Sequence, residues 1–135
     1  MNYKKYIGSI RDFPIEGITY RDIQPLLAND IVFHSVIKDM AKLIKEVPDY
    51  WIALESRGFL FASALSIEFG GGVRLIRKKG KLGNNRLLSV DYGLEYGKDS
   101  FEMAYLPEFD LGKVVIVDDV YAWLIPFVSL VENVT

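Results

Sequence analysis

The fold is decided by residues 50–69, which read YWIALESRGFLFASALSIEF. The stretch begins with the aromatic and aliphatic run Tyr50–Leu54 and continues with a polar stretch, Glu55–Gly58. Phe59–Phe69 is then almost wholly apolar and ends at the glycines 70–72. A short apolar run is typical of a buried strand, and a longer one closed by glycine is typical of a buried helix. The stretch therefore predicts a strand, a polar turn and a helix.

Further apolar runs extend this pattern along the chain. Val73–Ile76 and Val114–Val117 are continuous rather than alternating, as in parallel strands covered on both faces. Apolar residues at spacings of three and four predict an amphipathic helix over Phe33–Val47, ended before Pro48. Strands and helices in this order predict an α/β protein with a mainly parallel sheet flanked by helices.

A hairpin is predicted between the last two of these strands. Leu87–Glu95 and Ser100–Leu106 mix polar and apolar residues, and Tyr96–Asp99 supplies a glycine and charged residues for the turn. Because polar residues alternate with apolar ones, we expect this hairpin to be more exposed than the parallel strands.

The composition limits both the class of protein and its partners. A length of 135 residues agrees with one domain. Sixteen Lys and Arg against eighteen Asp and Glu give a net charge of −2, which argues against a general nucleic-acid binder. The absence of cysteine excludes disulfide and thiol chemistry and is compatible with a reducing compartment. No apolar stretch approaches the roughly 18 residues of a membrane span. We therefore expect a cytoplasmic protein without nucleic-acid or membrane partners.

Polar residues follow each of the three predicted parallel strands. Ligands of open parallel sheets bind outside the carboxyl ends of the strands, so these exits are the places where a site is expected. Two exits are cationic, Glu55–Gly58 with its Arg57 and Arg77–Lys81, and the third carries the acidic pair Asp118-Asp119. This combination indicates an anionic ligand that also carries hydroxyl groups or a metal ion.

Each exit also has an ordinary structural explanation. The backbone N–H groups of Glu55–Gly58 can hold a phosphate at the start of the following helix, or its polar residues can merely cap that helix. Arg77–Lys81 suits pyrophosphate oxygens and equally suits a solvated loop. Asp118 and Asp119 can bind a vicinal diol or support Mg²⁺ through water, or can cap a helix. The residues alone leave these alternatives open.

Other residues with catalytic chemistry have weaker support. His34 is the only histidine and has no partner at metal-ligand spacing, so an ordinary surface or capping role is expected. Ser56 is not in a nucleophile-elbow pattern, so a Ser-His-Asp site has little support. The sequence shows no cluster of metal ligands, and we expect no metal site formed by the protein alone.

Five motifs make the chain similar to the adenine phosphoribosyltransferase family along nearly its whole length. They are Ile10–Pro14 with Gly17–Ile23, Glu55–Phe59, Ile76–Leu82, Leu94–Gly97 and Val115–Asp119. The resemblance implies the type I phosphoribosyltransferase fold, with a small N-terminal hood and a flexible loop at the hairpin. It implies one domain over residues 1–135, with a hood segment over 1–30 and a core over 31–135 that is incomplete on its C-terminal side.

The resemblance also implies a reaction. Enzymes of this family transfer phosphoribosyl from phosphoribosyl pyrophosphate to adenine, which gives AMP and pyrophosphate in purine salvage. Mg²⁺ is implied as a cofactor bound mainly through the pyrophosphate of the donor. A homodimer is implied because the family counterpart of Arg77 can act at a neighbouring subunit.

Site residues carry over where the motifs match. The adenine-binding hood is expected to contain Thr19, Tyr20 and Arg21. The pyrophosphate-binding turn and its further ligands are expected to be Glu55, Ser56, Arg57, Gly58, Arg77 and Lys81.

The remaining roles implied by the resemblance concern a lid and the ribose. Glu95 and Tyr96 resemble the tip of a mobile loop that closes over the reactants, and Glu95 resembles the residue proposed to handle the proton. Together with Arg57 they form the expected catalytic set. Asp118 and Asp119 are expected to hold the ribose hydroxyls.

The segment after the acidic pair departs from the family. There the family has Ala-Thr-Gly-Gly-Thr, a loop that binds the 5′-phosphate, whereas here Ala122 runs straight into Trp123. Ala122 is still expected among the substrate-binding residues. Phe127–Glu132 predicts the next parallel strand, yet only Val120–Pro126 precedes it, and a parallel crossover needs about a dozen residues or more.

Three explanations of this short connection stay open. Residues can be missing between Ala122 and Trp123, the deletion can be genuine, or the last strand can pair differently. A genuine deletion would favour an alternative function, that of a catalytically inactive phosphoribosyltransferase-like module that binds a purine or nucleotide.

Overall fold

The computed structural model describes residues 1–83, 86–94, 97–107, 110 and 112–119. The strand expected over Phe127–Glu132 lies outside these residues. The chain divides into two compact units, Met1–Lys45 and Glu46–Thr135.

The first unit combines a two-stranded antiparallel ribbon with short helices. A 3-10 helix over Tyr3–Tyr6 precedes the strands β1 and β2, and two α-helices, α1 and α2, follow them. The strands run over Gly8–Arg11 and Thr19–Asp22, and the helices over Gln24–Leu27 and Asp30–Ala41. Its buried apolar residues come from α1, α2 and the segment just before them: Ile23, Leu26, Val32 and Ile37.

The amphipathic helix α2 begins and ends earlier than the sequence predicted. It runs over Asp30–Ala41, so the expected bounds Phe33–Val47 were wrong at both ends. It begins at Asp30 because the side chain of Asn29 accepts a hydrogen bond from the backbone N–H of Val32 at 3.0 Å. After Ala41 the chain continues in tighter turns, in which the N–H groups of Leu43 and Ile44 donate to the carbonyl oxygens of Met40 and Ala41, and Leu43 is 85% exposed.

The described part of the second unit is a five-stranded mixed sheet with one helix packed on it. Its strands are β3 (Tyr50–Leu54), β4 (Gly72–Lys78), β5 (Leu87–Leu94), β6 (Gly97–Ala104) and β7 (Val114–Val117). The strand order is β5-β6-β4-β3-β7, and the neighbours β4, β3 and β7 are parallel. Helix α3 (Gly58–Phe69) joins β3 to β4 and packs on β3, β4 and β7. The predicted α/β class is confirmed, and so are the strand, the turn and the helix over residues 50–69. The expectation that this helix is buried was wrong for one of its faces, because Leu60 and Ile67 are 47% and 88% exposed while Phe61, Ala62 and Leu65 pack on the sheet.

Strand β6 of the hairpin is less exposed than the sequence predicted. Strand β6 lies inside the sheet between β5 and β4, and it begins at Gly97 rather than at Ser100. Phe101 and Met103 are 5% and 1% exposed, because they pack with Ile76 of β4 in the main hydrophobic core. The alternation of polar and apolar residues in the sequence predicts a strand with one exposed face. It does not show that β6 has a neighbouring strand on each side, β5 and β4, or that its apolar residues reach the main core.

A glycine sets the distance between the start of α3 and the end of β7. A Cβ atom at Gly58 would lie 2.5 Å from the carbonyl oxygen of Val117, closer than real Cβ contacts. Only glycine therefore allows the polar turn before α3 to lie directly against the end of β7. This close approach places Arg57 beside the residues that follow Val117.

We expect Gly58→Ala to destabilise the protein by about 1–3 kcal/mol, because the added methyl group meets a backbone carbonyl that cannot move aside. The free energy of unfolding in urea is the measurement. Gly83→Ala is the matched control, since a Cβ there would meet nothing within 4 Å, and we expect a change within about 0.5 kcal/mol. Equal stabilities of the two variants would contradict the close-packing explanation.

Candidate active site

The three parallel strands end at one edge of the sheet, and the polar residues at their carboxyl ends contact one another there. Arg57 Nε lies 2.8 Å from Asp119 Oδ2, which joins the exit of β3 to that of β7. Arg77 Nη2 lies 3.3 Å from Glu55 Oε1, which joins the exit of β4 to that of β3. The structure thus brings the two cationic exits and the acidic exit into a single site.

Glu55 links two of these exits by both of its carboxylate oxygens. Besides its contact with Arg77, its Oε2 accepts a hydrogen bond of 2.8 Å from the backbone N–H of Lys78. Partial burial raises the pKa of Glu55, but this hydrogen bond and the guanidinium of Arg77 outweigh burial, so the pKa lies below its ordinary value. Glu55 is therefore ionised at neutral pH. The peptide bond between Glu55 and Ser56 is cis.

Arg77 is held from three sides. Its Nη1 donates a 3.1 Å hydrogen bond to the carbonyl oxygen of Lys81, and its Nη2 donates to Glu55. Its Cζ lies 5.9 Å from the centroid of the Phe59 ring. Its Nε is buried and has no hydrogen-bond partner among the described residues. These contacts fix the direction of a guanidinium whose side chain is still 30% exposed.

The two adjacent carboxylates after β7 have different environments. Asp119 is paired with Arg57, and its side chain is only 9% exposed. Asp118 Oδ1 accepts a 2.8 Å hydrogen bond from the backbone N–H of Asp119. Burial raises the pKa of Asp118 to about 6, and the charge of Asp119 adds to the effect of burial. Asp118 is therefore an ionised acceptor for hydroxyl groups only above about pH 6.

The remaining predicted site residues lie elsewhere in the chain. Thr19, Tyr20 and Arg21 belong to β2 of the first unit, where the Tyr20 ring packs edge-on against Phe13 with centroids 5.4 Å apart. Arg21 donates a hydrogen bond to the hydroxyl of Ser9. Three predicted site residues lie outside the described part of the chain: Glu95, Tyr96 and Ala122.

One polar residue at this edge was missed by the sequence analysis. Glu102 of β6 is 7% exposed, and its Oε2 accepts a 3.0 Å hydrogen bond from the backbone N–H of Gly80. In the sequence it is one more charged residue of a mixed hairpin. Its position next to the cationic exit follows from the pairing of Glu102 with Arg77 across β6 and β4, which local sequence does not reveal.

The described residues provide neither a cluster of metal ligands nor a helix long enough to span a membrane. They contain no group of three or more His, Asp or Glu side chains placed to bind a metal ion. In the same parts of the chain, no helix combines the length and the apolar content that a membrane span requires.

A mixed, mostly parallel sheet with these exits has the fold of the type I phosphoribosyltransferases. The chain is 39% identical to the adenine phosphoribosyltransferase of Thermoanaerobacter pseudethanolicus, with a TM-score of 0.88 over 97% of this chain and 78% of that one. It is 32% identical to the Saccharomyces cerevisiae enzyme, solved with adenine and an imino-altritol bisphosphate, with a TM-score of 0.87 and the same coverage.

Sequence comparison gives the particular family. The chain is 44% identical over 123 residues to the adenine phosphoribosyltransferase of Mycoplasma mobile, which covers 88% of this chain and 68% of that protein. It is 42% identical to the enzyme of Carboxydothermus hydrogenoformans, over 90% of this chain and 72% of that protein. No family model matches the sequence. The chain belongs to the adenine phosphoribosyltransferase family.

We expect Asp118→Asn to raise the Tm by a few degrees at pH 8. The raised pKa of Asp118 means that its charged form is disfavoured in the folded protein, so the wild type loses stability as the pH rises from about 4 to about 6. The asparagine variant lacks this loss and still accepts the hydrogen bond from Asp119.

The measurement is the Tm of both proteins between pH 4 and pH 8. The difference should shrink towards pH 4, where the aspartate of the wild type is protonated as well. Asp91→Asn, which removes an exposed carboxylate from β5, controls for the change in net charge. A Tm difference that is the same at every pH would show that burial of the Asp118 charge is not its cause.

Proposed function

We propose that this chain transfers phosphoribosyl from phosphoribosyl pyrophosphate to adenine and releases AMP and pyrophosphate, the purine-salvage reaction of its family. The observation that carries the proposal is the meeting of Arg57, Arg77 and the pair Asp118-Asp119 at one edge of the sheet. These groups match the donor, which carries a polyanion and a vicinal diol on the same sugar.

The cationic exits would bind the pyrophosphate. Negative charge on this leaving group grows as its bond to the ribose breaks, so cations aimed at it stabilise the transition state more than the bound donor. Arg57 and Arg77 are already held in place by Asp119 and Glu55. Lys81 is exposed in the turn that follows Arg77 and the end of β4, where its ammonium group can add a third positive charge.

The acidic exit would bind the ribose. Asp118 and Asp119 are acceptors, and a vicinal diol supplies two hydroxyl donors. Because the pKa of Asp118 is about 6, donor binding through this residue should weaken as the pH falls below that value. Fixing the diol would also fix the anomeric carbon relative to the pyrophosphate.

The base and the lid complete the proposal. Thr19, Tyr20 and Arg21 would bind adenine, and the family resemblance supports this assignment. Glu95 and Tyr96 would close over the reactants, exclude water and, through Glu95, take up the proton that N9 of adenine loses.

Mg²⁺ would enter as the complex with the donor's pyrophosphate. Of the carboxylates described at the site, Glu55 and Asp119 are paired with arginines, and no cluster of three metal ligands occurs among the described residues. Such a donor set fits an ion held mostly by phosphate oxygens and water. When bound, Mg²⁺ neutralises part of the charge of the leaving group.

Two further proposals concern the assembly of the protein, for which the resemblance is the support, and its location, for which the composition is the support. We propose a homodimer, in which Arg77 can serve the site of the neighbouring subunit. We also propose a cytoplasmic location, with which a chain free of cysteine is compatible.

A second candidate function, that of an inactive binding module, is favoured by the sequence after the acidic pair, in which Trp123 follows Ala122 directly. Without the family's phosphate loop, the chain would bind a purine or nucleotide and form no product. An intact-mass measurement compared with the mass of the 135 residues shows whether further residues lie within the protein.

The test is AMP formation from adenine, phosphoribosyl pyrophosphate and Mg²⁺. We expect AMP from the wild type, and a kcat lower by about 10²–10³ in Arg57→Ala and in Arg77→Ala, because each removes a cation aimed at developing charge. Lys113→Ala, which removes an exposed cation at the start of β7, should keep the wild-type rate.

Binding of adenine or AMP without product would favour the inactive module. Arginine variants with a kcat close to that of the wild type would contradict the roles proposed for Arg57 and Arg77.

A further inference from the structure

The cationic turn Lys78–Lys81 has every one of its backbone N–H groups bonded within the protein. Lys78 donates to Glu55 Oε2 at 2.8 Å, and Lys79 donates to the carbonyl oxygen of Ser100 at 3.0 Å. Gly80 donates to Glu102 Oε2 at 3.0 Å, and Lys81 donates to the carbonyl oxygen of Lys78 at 3.2 Å. Since its amides are used in this way, the turn can bind an anion through its side chains but not through its backbone.

Carboxylates hold this turn from two sides. Glu55 reaches it from the exit of β3, and Glu102 reaches it from β6, the strand on the other side of β4. Glu102 is 7% exposed, and a buried carboxylate is costly unless it accepts hydrogen bonds. The hydrogen bond from Gly80 is charge-assisted, and such bonds are roughly twice as strong as neutral ones.

The shape of the turn also determines where Arg77 points. Arg77 Nη1 donates to the carbonyl oxygen of Lys81, so the last residue of the turn supports the guanidinium directly. Four cations, Arg77, Lys78, Lys79 and Lys81, lie within five residues and repel one another. A turn held only at one end would let them move apart.

We propose that Glu102 is a positioning residue for pyrophosphate binding. By holding the N–H of Gly80, it keeps the turn in the shape that presents Arg77 and Lys81 to the leaving group. The inference rests on the proposed function, because it assigns a task to a turn that the proposed reaction requires. Glu102 itself need not touch the substrate.

The test uses two substitutions that keep the volume of the side chain. Glu102→Met removes the acceptor from a buried position without leaving a cavity, so the variant is expected to fold. Glu102→Gln keeps an oxygen that can accept from Gly80. Glu46→Met is the matched control, because the side chain of Glu46 is 66% exposed and pairs only with Lys113 among the described residues.

Two measurements report on the stability of the turn and on substrate binding separately. The first is the rate of trypsin cleavage after Lys79 and Lys81 without substrates, which measures how firmly the turn is held. The second is the KM for phosphoribosyl pyrophosphate compared with the KM for adenine, together with calorimetric binding of Mg²⁺-pyrophosphate.

We expect Glu102→Met to speed cleavage in the turn and to raise the donor KM and the pyrophosphate Kd by about tenfold, with the adenine KM unchanged. Glu102→Gln should restore both readouts to within about threefold of the wild type, and Glu46→Met should change neither. A purely structural role would alter the Tm of Glu102→Met but leave the ratio of the two KM values as it is.

Unchanged cleavage in Glu102→Met, or faster cleavage with an unchanged donor KM and pyrophosphate Kd, would overturn the inference. A wild type that forms no AMP and binds no pyrophosphate would instead overturn the proposed function, and the inference with it, whatever the cleavage pattern.

Discussion

The candidate site depends on two ion pairs that join three strand ends. Arg57 with Asp119 and Arg77 with Glu55 connect the exits of β7, β3 and β4 in the order in which these strands lie in the sheet. The pairs form because parallel strands end at the same edge. The pair between Arg57 and Asp119 also requires Gly58, whose missing side chain allows the turn after β3 to approach the end of β7.

These pairs fix the positions of the two arginines and still leave them accessible to a ligand. Both arginine side chains are 30% exposed, so a ligand can reach them. Their carboxylate partners are only 9% and 14% exposed and support the arginines from the protein side. A pyrophosphate offers each guanidinium several oxygen acceptors in the planar geometry that arginine prefers. A donor can therefore add contacts to preorganised cations and need not order flexible side chains, which is the electrostatic arrangement that lowers a barrier with little reorganisation.

The sequence predicts those parts of this arrangement that depend on local pattern. Tyr50–Leu54, the helix after it and Val114–Val117 are apolar runs bounded by polar residues or glycine, and their strands and helix lie where the runs do. Contacts between distant segments are harder to predict. The burial of β6 and the hydrogen bond from Gly80 to Glu102 both depend on the pairing of β6 with β4, which follows from the sheet as a whole.

The most direct test of the account is a crystal structure of the protein with phosphoribosyl pyrophosphate and Mg²⁺, without adenine. The account predicts that, in the assembled protein, the pyrophosphate lies within hydrogen-bond distance of the guanidinium groups of Arg57 and Arg77 and that the ribose hydroxyls contact Asp118 and Asp119. A donor bound at another surface, or bound at this edge with its pyrophosphate away from both arginines, would contradict it.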